Sequence, residues 1–60
     1  MNRKEDILRR TIKHIEYSAQ SNERLSVSEN LSKRSRQAFR EYAECDRQLI
    51  RDLESLIDHQ

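Results

Sequence analysis

Apolar residues recur along this chain at helical spacing in two stretches, and a polar tract divides them. In the first, Leu8, Ile12, Ile15 and Ala19 fall within about 60° of arc at 100° per residue, with Met1 on the same line and Ile7 and Thr11 on one flank. This is a narrow seam of coiled-coil type. Asn2 can cap its start by accepting an orphan amide hydrogen bond, and Glu5 stands at the reciprocal position of a capping box. In the second stretch, Ala38, Tyr42, Cys45, Leu49, Leu53 and Leu56 form one seam. Phe39, Ala43, Ile50 and Ile57 widen it to an arc of about 160°, so this helix can touch two neighbours.

The tract from Ser18 to Ser35 holds six serines and only Leu25, Val27 and Leu31 as large apolar residues. Serine competes for backbone hydrogen bonds and favours caps over helix interiors, so the turn belongs here. Either Asn22 or Asn30 could take the left-handed conformation that ends a helix. A turn near Asn30 pairs Leu8 with Leu53, Ile12 with Leu49 and Ile15 with Cys45. A turn near Asn22 pairs the first helix with residues 28–46 and strands Leu49 to Ile57 in solvent. Ser26-Val27-Ser28-Glu29 fits a capping box and favours the earlier start of the second helix. The expected fold class is therefore all-α. It is one domain over residues 1–60, a two-helix antiparallel hairpin resembling a coiled coil, with helix 1 over 3–21, a turn within 21–33 and helix 2 over 27–58. A single unbroken helix in a parallel coiled coil is disfavoured because Asn22, Ser26, Ser28 and Ser35 would fall on or near its seam.

Composition agrees with this pattern. No glycine or proline occurs in 60 residues, and 38% of the side chains are charged; a fold with strands and tight loops would use several of the former. Only 33% of residues are hydrophobic, a small share for a chain that must bury a core alone, and the single Cys45 excludes an intrachain disulfide. Self-association into a dimer or four-helix bundle, or a protein partner, is then expected to complete the core.

Charge favours the hairpin as well. Residues 1–40 carry ten basic and five acidic side chains, whereas residues 41–60 carry two and six, so folding back brings opposite signs together. No run approaches the ~20 apolar residues of a membrane span, and Met1 to Asp6 lack the apolar core of a secretory signal; the chain reads as cytoplasmic.

No constellation for catalysis is present, since no nucleophile stands at a meaningful spacing from a base and two thin helices offer no enclosed pocket. The expectation is a non-enzyme with no cofactor and no small-molecule substrate. His14 and His59 lack the i, i+4 partner of a helical zinc motif, so no metal is expected. Cys45 reads as a small buried hydrophobe. Asp46 reads as a flank residue paired with Lys13 or Arg9, or else as a specificity device that fixes register or partner choice. The expected function is protein binding, as adaptor, inhibitor or co-chaperone, through the wide face of helix 2: Phe39, Tyr42, Leu49, Ile50, Leu53, Leu56 and Ile57. The alternative is nucleic-acid binding by a helical dimer through Lys33, Arg34, Arg36 and Arg40. A purely structural homo-oligomer is the third reading. Tyr17, opposite the first seam, is an outer-surface contact candidate.

Overall fold

A computed structural model describes residues 2–58; Met1 and His59, which entered the reading above, lie outside the described residues. Two helices make up the fold, α1 (Arg3–Leu25) and α2 (Lys33–Asp58). At 1.5 Å per residue they are about 35 and 39 Å long, and the hairpin measures 46 × 15 × 9 Å. It is a flat two-helix layer with two broad faces.

Asn2 caps α1 as the sequence suggests: its Oδ1 accepts from the amides of Lys4 at 3.0 Å and Glu5 at 3.4 Å. Glu5 and Asp6 in the first turn complement the positive end of the helix dipole. Their carboxylates also pair one turn on, with Arg9 at 2.7 Å and Arg10 at 3.1 Å.

The turn departs from expectation in three ways. α1 runs four residues past position 21, and Ser26 ends it rather than opening α2. The Ser26 amide donates to the Asn22 carbonyl at 2.9 Å, and its hydroxyl to the Glu23 carbonyl at 2.6 Å. Second, neither asparagine is left-handed, because no described residue has positive φ. Successive i→i+3 bonds carry the chain round instead, from Val27 to Arg24, Ser28 to Leu25 and Leu31 to Ser28. Third, α2 starts at Lys33 and not at 27. Its cap is Ser32, whose Oγ accepts from the Ser35 amide at 3.1 Å and donates to the Ser35 hydroxyl at 3.0 Å. A serine-rich tract offers several equivalent caps, and the one used is fixed by where the helices pack.

The two helices are antiparallel. Glu23 reaches Arg47 near the turn, and Arg9 and Ile12 line a groove with Ile57 and Asp58 at the far end. On α1 the inner positions are Leu8, Ile12, Ile15, Ala19, Asn22 and Ser26; on α2 they are Phe39, Ala43, Asp46, Ile50, Leu53 and Ile57, all buried or half-buried. Both runs alternate steps of three and four, the spacing of a heptad seam. Ala19 and Ala43, 0% and 5% exposed, bring the backbones close, and among the described residues Ile50 at 6% is the one large apolar side chain buried beside them.

This corrects the expected α2 seam. Of the ten apolar positions in the wide arc, the hairpin uses the flank containing Phe39, Ala43, Ile50 and Ile57. The line Tyr42, Cys45, Leu49, Leu56 turns outward by about 90°. The expected pairings of Ile12 with Leu49 and Ile15 with Cys45 are overturned with it. The physical reason is polar: the seam in use puts Asp46 against Asn22 of α1's inner stripe and Ser18 beside it, so both find an acceptor.

Candidate protein-interaction surface

Asp46 is the centre of the hairpin's polar contacts. Its Oδ2 accepts from Ser18 Oγ at 2.8 Å and from Asn22 Nδ2 at 3.1 Å. The sequence-based pairing of Asp46 with Lys13 or Arg9 is thus incorrect; Arg9 is held by Glu5 instead. One oxygen accepting from two donors on the opposite helix ties the helices together at one axial position, an arrangement that fits the second role weighed for this residue.

The two broad faces differ in chemistry. On one, Arg47 grips Glu23 in bidentate fashion, Nε to Oε2 at 3.1 Å and Nη2 to Oε1 at 2.8 Å. This hydrogen-bonded pairing holds the Glu23 carboxyl below the ordinary glutamate range and raises the Arg47 guanidinium. Arg40, Glu44 and Arg51 border the same groove, and Arg9, Glu54 and Asp58 continue the face toward the far end. Charge covers this side from end to end.

Helix geometry assigns the remaining positions to the opposite face. Seven-residue spacing aligns Tyr42, Leu49 and Leu56 in one row along α2, with Ala38, Cys45 and Asp52 in the next row. From α1 the same face receives Thr11 and Ser18 in the inner row, and Ile7, His14 and Ser21 in the outer one. Tyr42 is 58% exposed, Leu49 46%, Leu56 54% and Ile7 53%. The Tyr42 ring stands edge-on to Phe39, centroids 6.0 Å apart at 76°, so the row is anchored to the seam beneath it.

The structure therefore divides the expected interface set. Phe39, Ile50, Leu53 and Ile57 face α1 within the hairpin, while Tyr42, Leu49 and Leu56 face out. Cys45 is exposed, which overturns its reading as a buried hydrophobe. Tyr17, 64% exposed, lies beside Arg10, Lys13 and His14 on α1's outer edge. Lys33, Arg36 and Arg40 line one groove with Ser26 and Val27 where the turn meets α2, and Arg34 is not among its lining residues. α2 has no acidic residue in its first turn to offset these cations. No cluster of His, Cys, Asp and Glu among the described residues could hold a metal ion, and no described helix is long and apolar enough to cross a membrane.

Sequence reasoning missed the Ser18–Asn22–Asp46 cluster and the Glu23–Arg47 pair. The signal for both was the 3-4 spacing Ala19, Asn22, Ser26 against Ala43, Asp46, Ile50, which continues each seam through polar residues. No family model matches the chain, nor does any curated protein or solved structure.

Proposed function

We propose that this chain is a helical protein-interaction module, an adaptor or inhibitor in kind, that docks a second helical surface on the broad face carrying Tyr42, Leu49 and Leu56. The observation that supports it is a contrast in burial. The hairpin buries three apolar residues, Ala19, Ala43 and Ile50, yet leaves three large apolar side chains in one row on its outer face. A 60-residue chain with so little interior gains stability by covering that row. Docking there converts the two-helix layer into a four-helix arrangement with the row at its centre.

Photo-crosslinking in cells tests this without knowing the occupant. A benzophenone side chain at Leu49 is expected to give strong protein adducts, and the same group at Glu44, on the charged face, few. Equal yields at the two positions would refute the assignment.

A second reading rests on the groove formed by Lys33, Arg36 and Arg40, where the positive end of α2's dipole adds to three cations. It predicts RNA or DNA affinity that falls steeply with salt and is lost on combined Arg36→Ala and Arg40→Ala.

A further inference from the structure

We infer that the occupant of the apolar face is a second copy of this chain, with α2 lying antiparallel against α2 of its mate about a two-fold axis that passes beside Leu49. The inference rests on the docking face proposed above and adds its partner and geometry.

Three observations carry it. First, the row is self-complementary. Tyr42 and Leu56 stand seven residues to either side of Leu49, about 10.5 Å along the axis in each direction. A two-fold axis at Leu49 therefore sets Leu49 on Leu49 and each Tyr42 on the mate's Leu56, so every exposed apolar side chain of the row meets another. Closed dimers are built from such isologous patches. The alternative, α2 against the mate's α1, would set the row on Thr11, His14, Ser18 and Ser21, with Ile7 the single exposed large apolar side chain that α1 offers on this face, and would leave most of the row against polar groups.

Second, charge selects antiparallel over parallel. The opening of α2 carries Lys33, Arg34, Arg36 and Arg40 and no acid before Glu41; its last two turns carry Asp52, Glu54 and Asp58 and no base. Antiparallel stacking opposes the two dipoles and sets Arg40 level with the mate's Asp58 along the helix axis, both on the outer charged face, so this selection acts at long range and not across the contact. Parallel stacking aligns like with like.

Third, the area is adequate. The extents of 46 by 15 Å bound the contact at about 700 Å² per copy, or about 1,400 Å² in total at full overlap, and that upper bound reaches the range of specific interfaces. Small side chains on α1, Thr11 and Ser18 among them, let the layers close beside the α2 pair.

Sedimentation equilibrium at about 100 µM, far above a Kd of about 1 µM, is expected to show a dimer. Leu49→Asp places two carboxylates at the axis and is expected to raise the dissociation constant about a hundredfold or more. A wild-type monomer overturns the inference. Adducts from the Leu49 photo-crosslinker that then contain only other proteins would leave the docking face itself intact, so the two failures are distinguishable.

The geometry is read by disulfides in a Cys45→Ser background. Leu49→Cys is expected to link to itself on mild oxidation. A mixture of Tyr42→Cys and Leu56→Cys chains is expected to link between the two species, which keeps the test open if either variant alone is weakened. Links formed instead between Leu49→Cys and Ser18→Cys chains, with none between Leu49→Cys chains, place α2 against α1 of the mate and overturn the arrangement.

Discussion

Removing the Asp46 carboxylate should cost the hairpin more than its half-exposed position suggests. Its Oδ2 holds both Ser18 and Asn22, at 2.8 and 3.1 Å. Hydrogen bonds to a charged acceptor contribute about 1.5–3 kcal/mol each when enclosed. Here both fall on one oxygen and Ser18 is exposed, so Asp46→Ala is expected to cost about 2 kcal/mol in total. For a domain of this size that lowers Tm by about 8–16 °C. Asp46→Asn keeps an acceptor without the charge and should lose about half as much. Asp46→Leu separates stability from specificity: burying the leucine between Ala43 and Ile50 returns about 1.5–3 kcal/mol, so Tm should stay near wild type. The register would then be set by apolar contacts alone, and amide spectra should show more than one set of resonances. Melts followed by circular dichroism at one fixed chain concentration, needed because association shifts Tm, give the energies. An Asp46→Ala variant within about 0.5 kcal/mol of wild type, the range of an ordinary surface change, would refute the reasoning.

Two further predictions concern the ion pair and the caps. The folded-state pKa of Glu23 is depressed by Arg47, so its stabilisation is complete above the ordinary glutamate range and is lost as pH falls through the lower, folded value. Carboxyl NMR titration should give Glu23 a midpoint below the ordinary glutamate range, and Arg47→Gln should bring it up; an unchanged midpoint in that variant would sink the assignment. Asn2→Ala and Ser32→Ala each remove a side-chain acceptor at a helix start and should each cost about 1 kcal/mol, read as denaturation midpoints, whereas Ser28→Ala, a serine of the same tract that caps neither helix, should change little.

The helical class, the hairpin and the first cap were legible because each rests on local chemistry: 3-4 spacing, missing glycine and proline, and an asparagine before Arg3. The α2 seam was not, and the cause lies in the width of its apolar arc. Phe39, Ala43, Ile50 and Ile57 and the row Tyr42, Leu49 and Leu56 are two seams on one helix about 90° apart, and periodicity alone ranks the larger residues first. The structure ranks them by what α1 presents. Leu8, Ile12 and Ile15 accept either seam, but Ala19, Asn22 and Ser26 do not: Ala19 calls for close approach, which Ala43 permits and Tyr42 would block, and Asn22 calls for an acceptor, which Asp46 supplies and Leu49 cannot. The polar and small residues of the serine-rich tract, set aside as turn-forming, are what decide between the seams.

That choice has a consequence for function. A helix with a single narrow seam would be satisfied by α1 and leave a polar exterior, as α1 itself does apart from Ile7 and Tyr17. Because α2 carries two, and the hairpin takes the one built around alanines and Asp46, the large side chains are left over by the same selection that fixes register. The outward row Tyr42, Leu49 and Leu56 is held in place by the inner seam, through Phe39 packed edge-on to Tyr42. Perturbing the register at Asp46 should therefore weaken docking on a face that Asp46 contributes little to. If Asp46→Leu keeps its helix content and Tm but associates through Leu49 as tightly as wild type, the two seams act independently; weakened association at unchanged helicity shows that the polar pin in the hairpin sets the geometry of the surface outside it.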